Sequence, residues 1–123
     1  MGAVGGVRAI PYEQVAPIAL PGGSWSRMLV ASATIGGNQG SLGYSVFRPG
    51  TATAAVSHEV EESAFVVAGR GELRLDDGVV PFEAGQALFI PPHTWHAVAN
   101  TGETDVVMVF TFPHPHYPPT ERR

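Results

Sequence analysis

Glycine and proline interrupt this chain at short intervals, and that spacing limits its fold more than any other feature. The 123 residues include 15 Gly and 11 Pro, and these separate short runs rich in Val, Ala, Phe and Leu. No segment keeps a helical period with caps at both ends, so long helices are not expected. Short apolar runs bounded by turn residues are typical of an all-β sandwich or barrel. We therefore predict one all-β domain, large enough for a single hydrophobic core.

The apolar runs give the predicted strands and the boundaries of the domain. The runs predict strands at residues 7–10, 25–33, 43–48, 54–58, 62–68, 72–76, 79–82, 86–90, 95–100 and 105–112. Asp77-Gly78 is the strongest hairpin signal, because such pairs suit turns whose central residues have positive φ. We expect an N-terminal arm at residues 1–24, a barrel at 25–112 and a proline-rich, mobile surface tail at 113–123.

Composition excludes several classes of function. All seven basic residues are Arg, so lysine Schiff-base chemistry is excluded. The absence of Cys excludes disulfides, thiolate nucleophiles and Cys-ligated zinc. The net charge of −4 and the scattered Arg residues argue against a nucleic-acid partner. No apolar run approaches the length of a membrane span or a signal core, so we expect no membrane partner and a cytoplasmic location.

Three residues in the middle of the chain have the character of metal ligands. His58 and Glu62 are four positions apart, and His96 lies on a later predicted strand. If His58, Glu62 and His96 all face the interior of a small barrel, they can converge near its mouth. Two imidazoles and a carboxylate suit a divalent first-row transition metal and leave coordination positions open.

Two stretches around these residues resemble the signature motifs of the cupin superfamily, which are small β-barrels that commonly bind a metal. The first motif matches at Gly50, His58, Glu62 and Gly69, and the second at Gly85, Pro91, His96 and Asn100. The resemblance covers under half of the chain. It implies a double-stranded β-helix, or jelly-roll barrel, with His58, Glu62 and His96 as the metal ligands. Cupins host many chemistries, so the fold alone does not fix the function.

The sequence departs from the cupin pattern at two positions. Val56 stands where the first motif usually has another His, so one ligand is missing, and His93 stands where the second motif usually has Gly. Three interpretations of Val56 follow. The remaining two-His-one-Glu set can work alone, as in the facial triad of non-haem iron oxygenases. Alternatively His93 or the pair His114 and His116 replaces the missing ligand, or metal binding has been lost.

Other residues are candidates for the pocket around the metal. Val56, Ala64 and Val98 are two positions from a ligand on the same strand face, so we expect them to line an apolar substrate pocket. His93 is a candidate acid or base at the barrel mouth, and Tyr44 is a candidate proton donor.

Three functions are compatible with this reading. The first is a metal-dependent enzyme acting on a small organic metabolite, a non-haem Fe(II) oxygenase or oxidase. The second is a non-redox cyclase, isomerase or lyase of natural-product or sugar metabolism, with Zn²⁺, Ni²⁺ or Mn²⁺ as alternative metals. The third is a non-catalytic small-molecule-binding cupin. Cupins commonly form dimers, and the apolar arm agrees with a homodimer.

Overall fold

A computed structural model describes residues 3–123, and strands dominate its secondary structure. In chain order the strands are β1 (Ala3–Val4), β2 (Val7–Arg8), β3 (Ile18–Ala19), β4 (Trp25–Val30), β5 (Ser41–Phe47), β6 (Val56–His58), β7 (Glu62–Ala68), β8 (Arg70–Leu75), β9 (Gly78–Glu83), β10 (Ala87–Ile90), β11 (His96–Ala99), β12 (Val106–Phe112) and β13 (Thr120–Arg122). The helical segments of the described residues are short 3₁₀ turns at Tyr12–Gln14 and Pro21–Gly23. Within residues 3–123, no helix is long and apolar enough to cross a membrane.

The strands form two facing antiparallel sheets. The six-stranded sheet has the order β10-β7-β12-β5-β4-β3, and the five-stranded sheet has the order β13-β6-β11-β8-β9. β1 and β2 pair with each other in a separate hairpin. Several neighbouring strands, such as β7 and β12 or β6 and β11, are distant in sequence, as in a jelly roll. The predicted all-β double-stranded β-helix is therefore confirmed.

Alternating side chains from both sheets build the core between them. On β12, Val106, Met108, Phe110 and Phe112 are buried on one face. They belong to the same buried cluster as residues of the five-stranded sheet such as Leu73. A Cβ atom at position 43 would collide with the Phe110 ring, so this point on β5 needs glycine. The two-residue period of the sequence thus places alternate residues in the core.

The outer face of the six-stranded sheet is unusually apolar. Phe65, Val67 and Phe89 are 48%, 50% and 60% exposed on β7 and β10. Alternation along the strands explains their exposure, because the residues next to them in the sequence face the core. We call this surface the outer face.

The structure corrects three details of the sequence-based prediction. β1, β3 and β13 were not predicted, and β13 makes the end of the tail a strand of the five-stranded sheet instead of a mobile surface segment. The β8–β9 hairpin lies where it was predicted, but Leu75 pairs with Gly78, so the turn is centred on Asp76 and Asp77. Neither Asp has the positive φ that the Asp-Gly signal implied, since His93 is the one non-glycine with positive φ in the described chain.

Candidate metal centre

The three predicted ligands come together where the two sheets meet. His58 is the last residue of β6 and His96 the first of β11, and these strands pair in the five-stranded sheet with Val56 opposite His96. Glu62 is the first residue of β7 in the six-stranded sheet and faces inward, as the buried Ala64 does two positions later. Strand ends of both sheets therefore bring the three side chains to one point.

The ligand atoms of these side chains lie close together. Glu62 Oε1 is 3.2 Å from His58 Nε2 and 3.5 Å from His96 Nε2. One ligand atom from each residue fits within a mutual separation of 4.8 Å. Both His residues are only 4% exposed. The cluster is therefore a nearly dry site formed by two imidazoles and one carboxylate, which we call the His58–Glu62–His96 cluster.

The remaining ring nitrogens have partners of their own. His96 Nδ1 lies 2.8 Å from the carbonyl oxygen of Thr94, and His58 Nδ1 lies 2.7 Å from the hydroxyl oxygen of Thr120. A carbonyl can only accept a hydrogen bond, so His96 Nδ1 carries a proton. A neutral His96 therefore turns the lone pair of its Nε2 toward Glu62, as a metal ligand must.

Burial and mutual attraction oppose each other in the titration of this cluster. Burial alone would raise the pKa of Glu62, but hydrogen bonds from both His rings and their positive charge outweigh it and hold the pKa below its ordinary value. Burial alone would lower the pKa of His96, but hydrogen bonds to Glu62 and to the Thr94 carbonyl, with the carboxylate charge, raise it. Glu62 is therefore ionised at neutral pH, as a ligand carboxylate must be.

The donor set fits a divalent metal ion. Ligand atoms about 2.0–2.2 Å from a common ion lie roughly 3 Å apart, and both distances from Glu62 Oε1 are close to this value. When both rings are neutral, two nitrogen lone pairs and a carboxylate face one another in a buried space. A cation, or protons on the rings, is needed to offset that repulsion.

The other predicted site residues lie outside the His58–Glu62–His96 cluster. Val56 and Val98 each share a strand face with a ligand and are half-buried, while Ala64 is part of the hydrophobic core. His93 is exposed in the turn before β11 with φ 57°, and its backbone N–H donates to the His58 carbonyl at 2.7 Å. Among described residues, the cluster able to hold a metal contains neither His93 nor the tail histidines.

Tyr44 lies on the wrong side of the sheet for a proton donor at the metal. Its neighbours Gly43 and Ser45 face the core, so its ring points to the outer face. There it stacks on Tyr12 and Trp25, with ring centroids 5.5 and 5.9 Å away. The prediction that Tyr44 is a proton donor in the pocket is therefore wrong.

The tail histidines interact with each other instead of with the cluster. His114 Nδ1 lies 2.9 Å from the backbone carbonyl of His116, which accepts a hydrogen bond from the protonated ring nitrogen. Both residues precede β13 on the chain surface, where His116 is exposed.

Sequence reasoning missed three residues that surround His58. The rings of Phe112 and Tyr117 meet His58 edge-on at centroid distances of 5.1 and 5.4 Å. Thr120 supplies the hydroxyl at its Nδ1. Burial, followed by the nearby Glu62 charge, raises the pKa of Tyr117, so its phenol keeps its proton. The alternation of β12 was a signal that could have found Phe112, but no periodic signal in the proline-rich tail pointed to Tyr117 or Thr120.

Comparison with known proteins identifies the family. The sequence profile of the Cupin domain matches residues 43–112, more than half of the chain. The protein is a cupin. Protein SchB of Streptomyces halstedii is 36% identical to this cupin over 104 residues, which cover 84% of the chain and 75% of SchB. Polyketide synthase CurC of Streptomyces cyaneus is 34% identical over 104 residues, covering 84% of this cupin and 67% of CurC.

A solved structure gives the same assignment at the level of the fold. The polyketide cyclase RemF from Streptomyces resistomycificus superposes on this cupin with a TM-score of 0.78 at 20% identity, over 94% of this chain and 84% of RemF. At that identity the likeness concerns the fold alone. The jelly-roll architecture implied by the two motifs is thus shared with a known cyclase.

Proposed function

We propose that this cupin is a metal-dependent cyclase that acts on a small metabolite bearing several carbonyl groups, of the polyketide type. The observation that carries the proposal is the convergence of His58 Nε2, His96 Nε2 and Glu62 Oε1 in a nearly dry site. His58, Glu62 and His96 would hold the ion. When bound there, a divalent metal ion supplies Lewis acidity that polarises a carbonyl group.

The chemistry of such a cyclisation suits the residues of this chain. An intramolecular aldol closure joins a carbon flanked by carbonyls to another carbonyl carbon. The proton lost by the first carbon ends on the new hydroxyl, and water leaves if the ring then dehydrates. The step needs no oxidant, no lysine and no thiol, and the chain has neither Lys nor Cys. It needs a proton acceptor and donor at the mouth, and His93, exposed beside the site, is the candidate for that role.

The side chains around the cluster are apolar and aromatic. Phe112 and Tyr117 present ring edges beside His58, and Val56 and Val98 continue the faces that carry the ligand histidines. Such side chains would exclude water from a carbonyl chain bound at the cluster and would favour its folded shape over its extended one. The names of two similar proteins, the polyketide synthase CurC and the polyketide cyclase RemF, favour the same substrate class.

A second candidate is a non-haem Fe(II) oxygenase or oxidase. Val56 removes one of the four usual ligands, and a two-His-one-carboxylate set with open positions is the ligand pattern of Fe(II) oxygenases. The same three residues accept Fe²⁺, Zn²⁺, Ni²⁺ or Mn²⁺, because imidazole and carboxylate donors suit all four. Product mass separates the candidates, since cyclisation keeps the mass or loses water, whereas an oxygenase adds oxygen and an oxidase removes hydrogen.

Metal analysis of protein purified without oxygen is the direct test. We expect about one divalent ion per chain in the wild type, and its loss in His58→Ala and Glu62→Gln. Glu61→Gln is the matched control, because Glu61 is an exposed neighbour of Glu62 and should leave the metal content unchanged. Full occupancy in His58→Ala would defeat the ligand assignment. A metal-loaded protein that binds but never converts poly-carbonyl compounds would instead favour the non-catalytic binding cupin.

We further propose that the protein is a homodimer formed through the outer face. Phe65, Val67 and Phe89 expose about half or more of their surface there. Tyr12, Trp25 and Tyr44 extend the same face as a stacked group with Arg27 over two of the rings. Contiguous apolar faces of this kind are uncommon on monomers. Light scattering after size exclusion should give twice the 13.0 kDa chain mass.

A further inference from the structure

The C-terminal strand brings a hydroxyl group to the outer nitrogen of one metal-ligand candidate. β13 pairs with β6 in the register Thr120↔His58. Thr120 Oγ1 lies 2.7 Å from His58 Nδ1 and 2.8 Å from the carbonyl oxygen of Pro118. The hydroxyl is therefore placed between a ring nitrogen and a carbonyl at normal hydrogen-bond distance from both.

The direction of these two hydrogen bonds follows from the chemistry of the groups. A hydroxyl has one proton, and the Pro118 carbonyl can only accept, so Thr120 donates to Pro118. Thr120 Oγ1 then meets His58 with its lone pairs, and the hydrogen bond forms only if His58 Nδ1 carries the proton. In the neutral ring this leaves Nε2 unprotonated, and Nε2 is the atom that faces Glu62 at 3.2 Å.

We infer that Thr120 is a positioning residue that holds His58 in the tautomer able to bind a metal. The inference rests on the proposed function, since it assigns Thr120 a role at that same site. Without this acceptor, His58 can place its proton on Nε2 and donate to Glu62, a state that must be undone before an ion enters. Groups that hydrogen-bond the outer ring nitrogen of a ligand histidine typically contribute about 10–100-fold in metal affinity.

The position of Thr120 is fixed by the rest of the tail. Arg123 stacks over Trp95 with its guanidinium carbon 4.3 Å from the ring centre, and it also pairs with Asp76. The Pro119 carbonyl accepts from the Glu59 N–H at 3.1 Å. Tyr117 packs edge-on against the His58 ring. The tail is thus attached on both sides of Thr120, so the hydroxyl has little freedom to leave His58.

The affinity for Zn²⁺, measured by competition with a chelating dye, tests the inference. We expect Thr120→Val to bind Zn²⁺ about 10–100-fold more weakly than the wild type, and Thr120→Ser to stay within about threefold because it keeps the hydroxyl. Thr111→Val is the matched control, since Thr111 lies on the exposed side of β12. Equal affinities of Thr120→Val and Thr111→Val would overturn the inference.

The tautomer of His58 supplies a readout that does not depend on metal binding. In metal-free protein labelled with ¹⁵N-histidine and held in alkaline buffer, nitrogen chemical shifts report which ring nitrogen carries the proton. We expect a larger share of the Nδ1–H form in the wild type and Thr120→Ser than in Thr120→Val. The same share in all three proteins would overturn the inference. A wild type that binds no Zn²⁺ but shows this tautomer difference would sink the proposed function and leave the role of Thr120 standing.

Discussion

The two ends of this chain are alike in composition but pack against different sheets. Both are rich in Gly or Pro and carry short runs without a clear period. The arm runs along the outside, where β3 pairs with β4 and Tyr12 stacks on Trp25 and Tyr44. The tail crosses to the other sheet, where β13 pairs with β6 and places Tyr117 and Thr120 against His58.

The difference lies in what each end meets. β6 is a three-residue strand carrying a metal-ligand candidate, and without β13 it would be an open edge of the five-stranded sheet. An open edge leaves backbone groups unpaired and the ligand poorly held. The arm, by contrast, pairs with β4 and packs against aromatic rings, not against a metal-ligand candidate. Two weakly patterned segments therefore differ in function because one completes the site and the other extends a surface.

The largest effect should come from a charge on the arm's side of the molecule. We expect Phe65→Glu to dissociate the proposed homodimer, because an unpaired charge buried at an interface costs about 3–5 kcal/mol. Val79→Glu is the control, since Val79 is 54% exposed but lies on the five-stranded sheet. Sedimentation at several concentrations measures both. A Phe65→Glu protein that stays as dimeric as Val79→Glu would move the interface elsewhere.

Removing one tyrosine from each end compares the two directly. Tyr117→Ala takes away a ring packed on His58 and Phe112, and we expect a loss of about 2–3 kcal/mol of unfolding free energy, below the full burial value because the ring is half-buried. Tyr12→Ala removes an exposed stacked ring and should cost about 1 kcal/mol. Zn²⁺ affinity should fall only in Tyr117→Ala. Equal loss of affinity in both variants would contradict the division between the ends.

A smaller effect on stability is expected from pH, and it should arise at the His58–Glu62–His96 cluster, on the side of the molecule where the tail lies. The raised pKa of His96 gives stability that is full below the ordinary value of 6.5 and is lost as pH rises through the folded value. The lowered pKa of Glu62 gives stability that is full above 4.5 and is lost as pH falls through the folded value. Metal-free protein should therefore be most stable between these limits.

With Zn²⁺ present, the stability of the protein should rise with pH on the alkaline side instead of falling, because a metal binds the neutral His rings. Thermal unfolding with and without Zn²⁺ measures the effect. Trp25→Phe leaves Trp95 beside the tail as the fluorescent reporter of the site, and Trp95→Phe leaves Trp25 in the arm's stacked rings. Zn²⁺ should change the fluorescence of Trp95 and leave that of Trp25 as it was. Metal-free stability that increases from neutral to alkaline pH would contradict the assigned shifts.

The sequence predicted the barrel because two-residue alternation and turn residues are local signals. The strand from Glu62 to Ala68 was predicted with its observed bounds, and the motif match predicted Glu62 as the ligand at its start. The jelly-roll arrangement of these strands followed from the cupin resemblance. Tyr44 was placed wrongly because the residues of β5 that face the core beside it are Gly43 and Ser45. Neither residue has an apolar side chain, so nothing in the sequence indicated that they are buried and that Tyr44 points outward.

The tail could not be predicted for a different physical reason. β13 has the sequence Thr-Glu-Arg after two prolines, and nothing in it is apolar. It becomes a strand because the edge of β6 offers backbone partners, and because Arg123 stacks on Trp95 and pairs with Asp76. These are contacts between distant parts of the chain, which a local pattern does not contain.

His58 is held from a second direction by the turn at His93, whose backbone N–H donates to the His58 carbonyl, and the His93→Asn variant of this turn gives the smallest predicted effect. Because φ is 57° there, we expect His93→Val to lose about 1–2 kcal/mol, while His93→Asn, which tolerates that conformation, should unfold at nearly the same urea concentration as the wild type. The Asn substitution removes the imidazole nitrogen that could bind a metal. Unchanged Zn²⁺ affinity in His93→Asn is therefore the result expected if three ligands suffice, and a large loss would make His93 the substitute for the ligand missing at Val56.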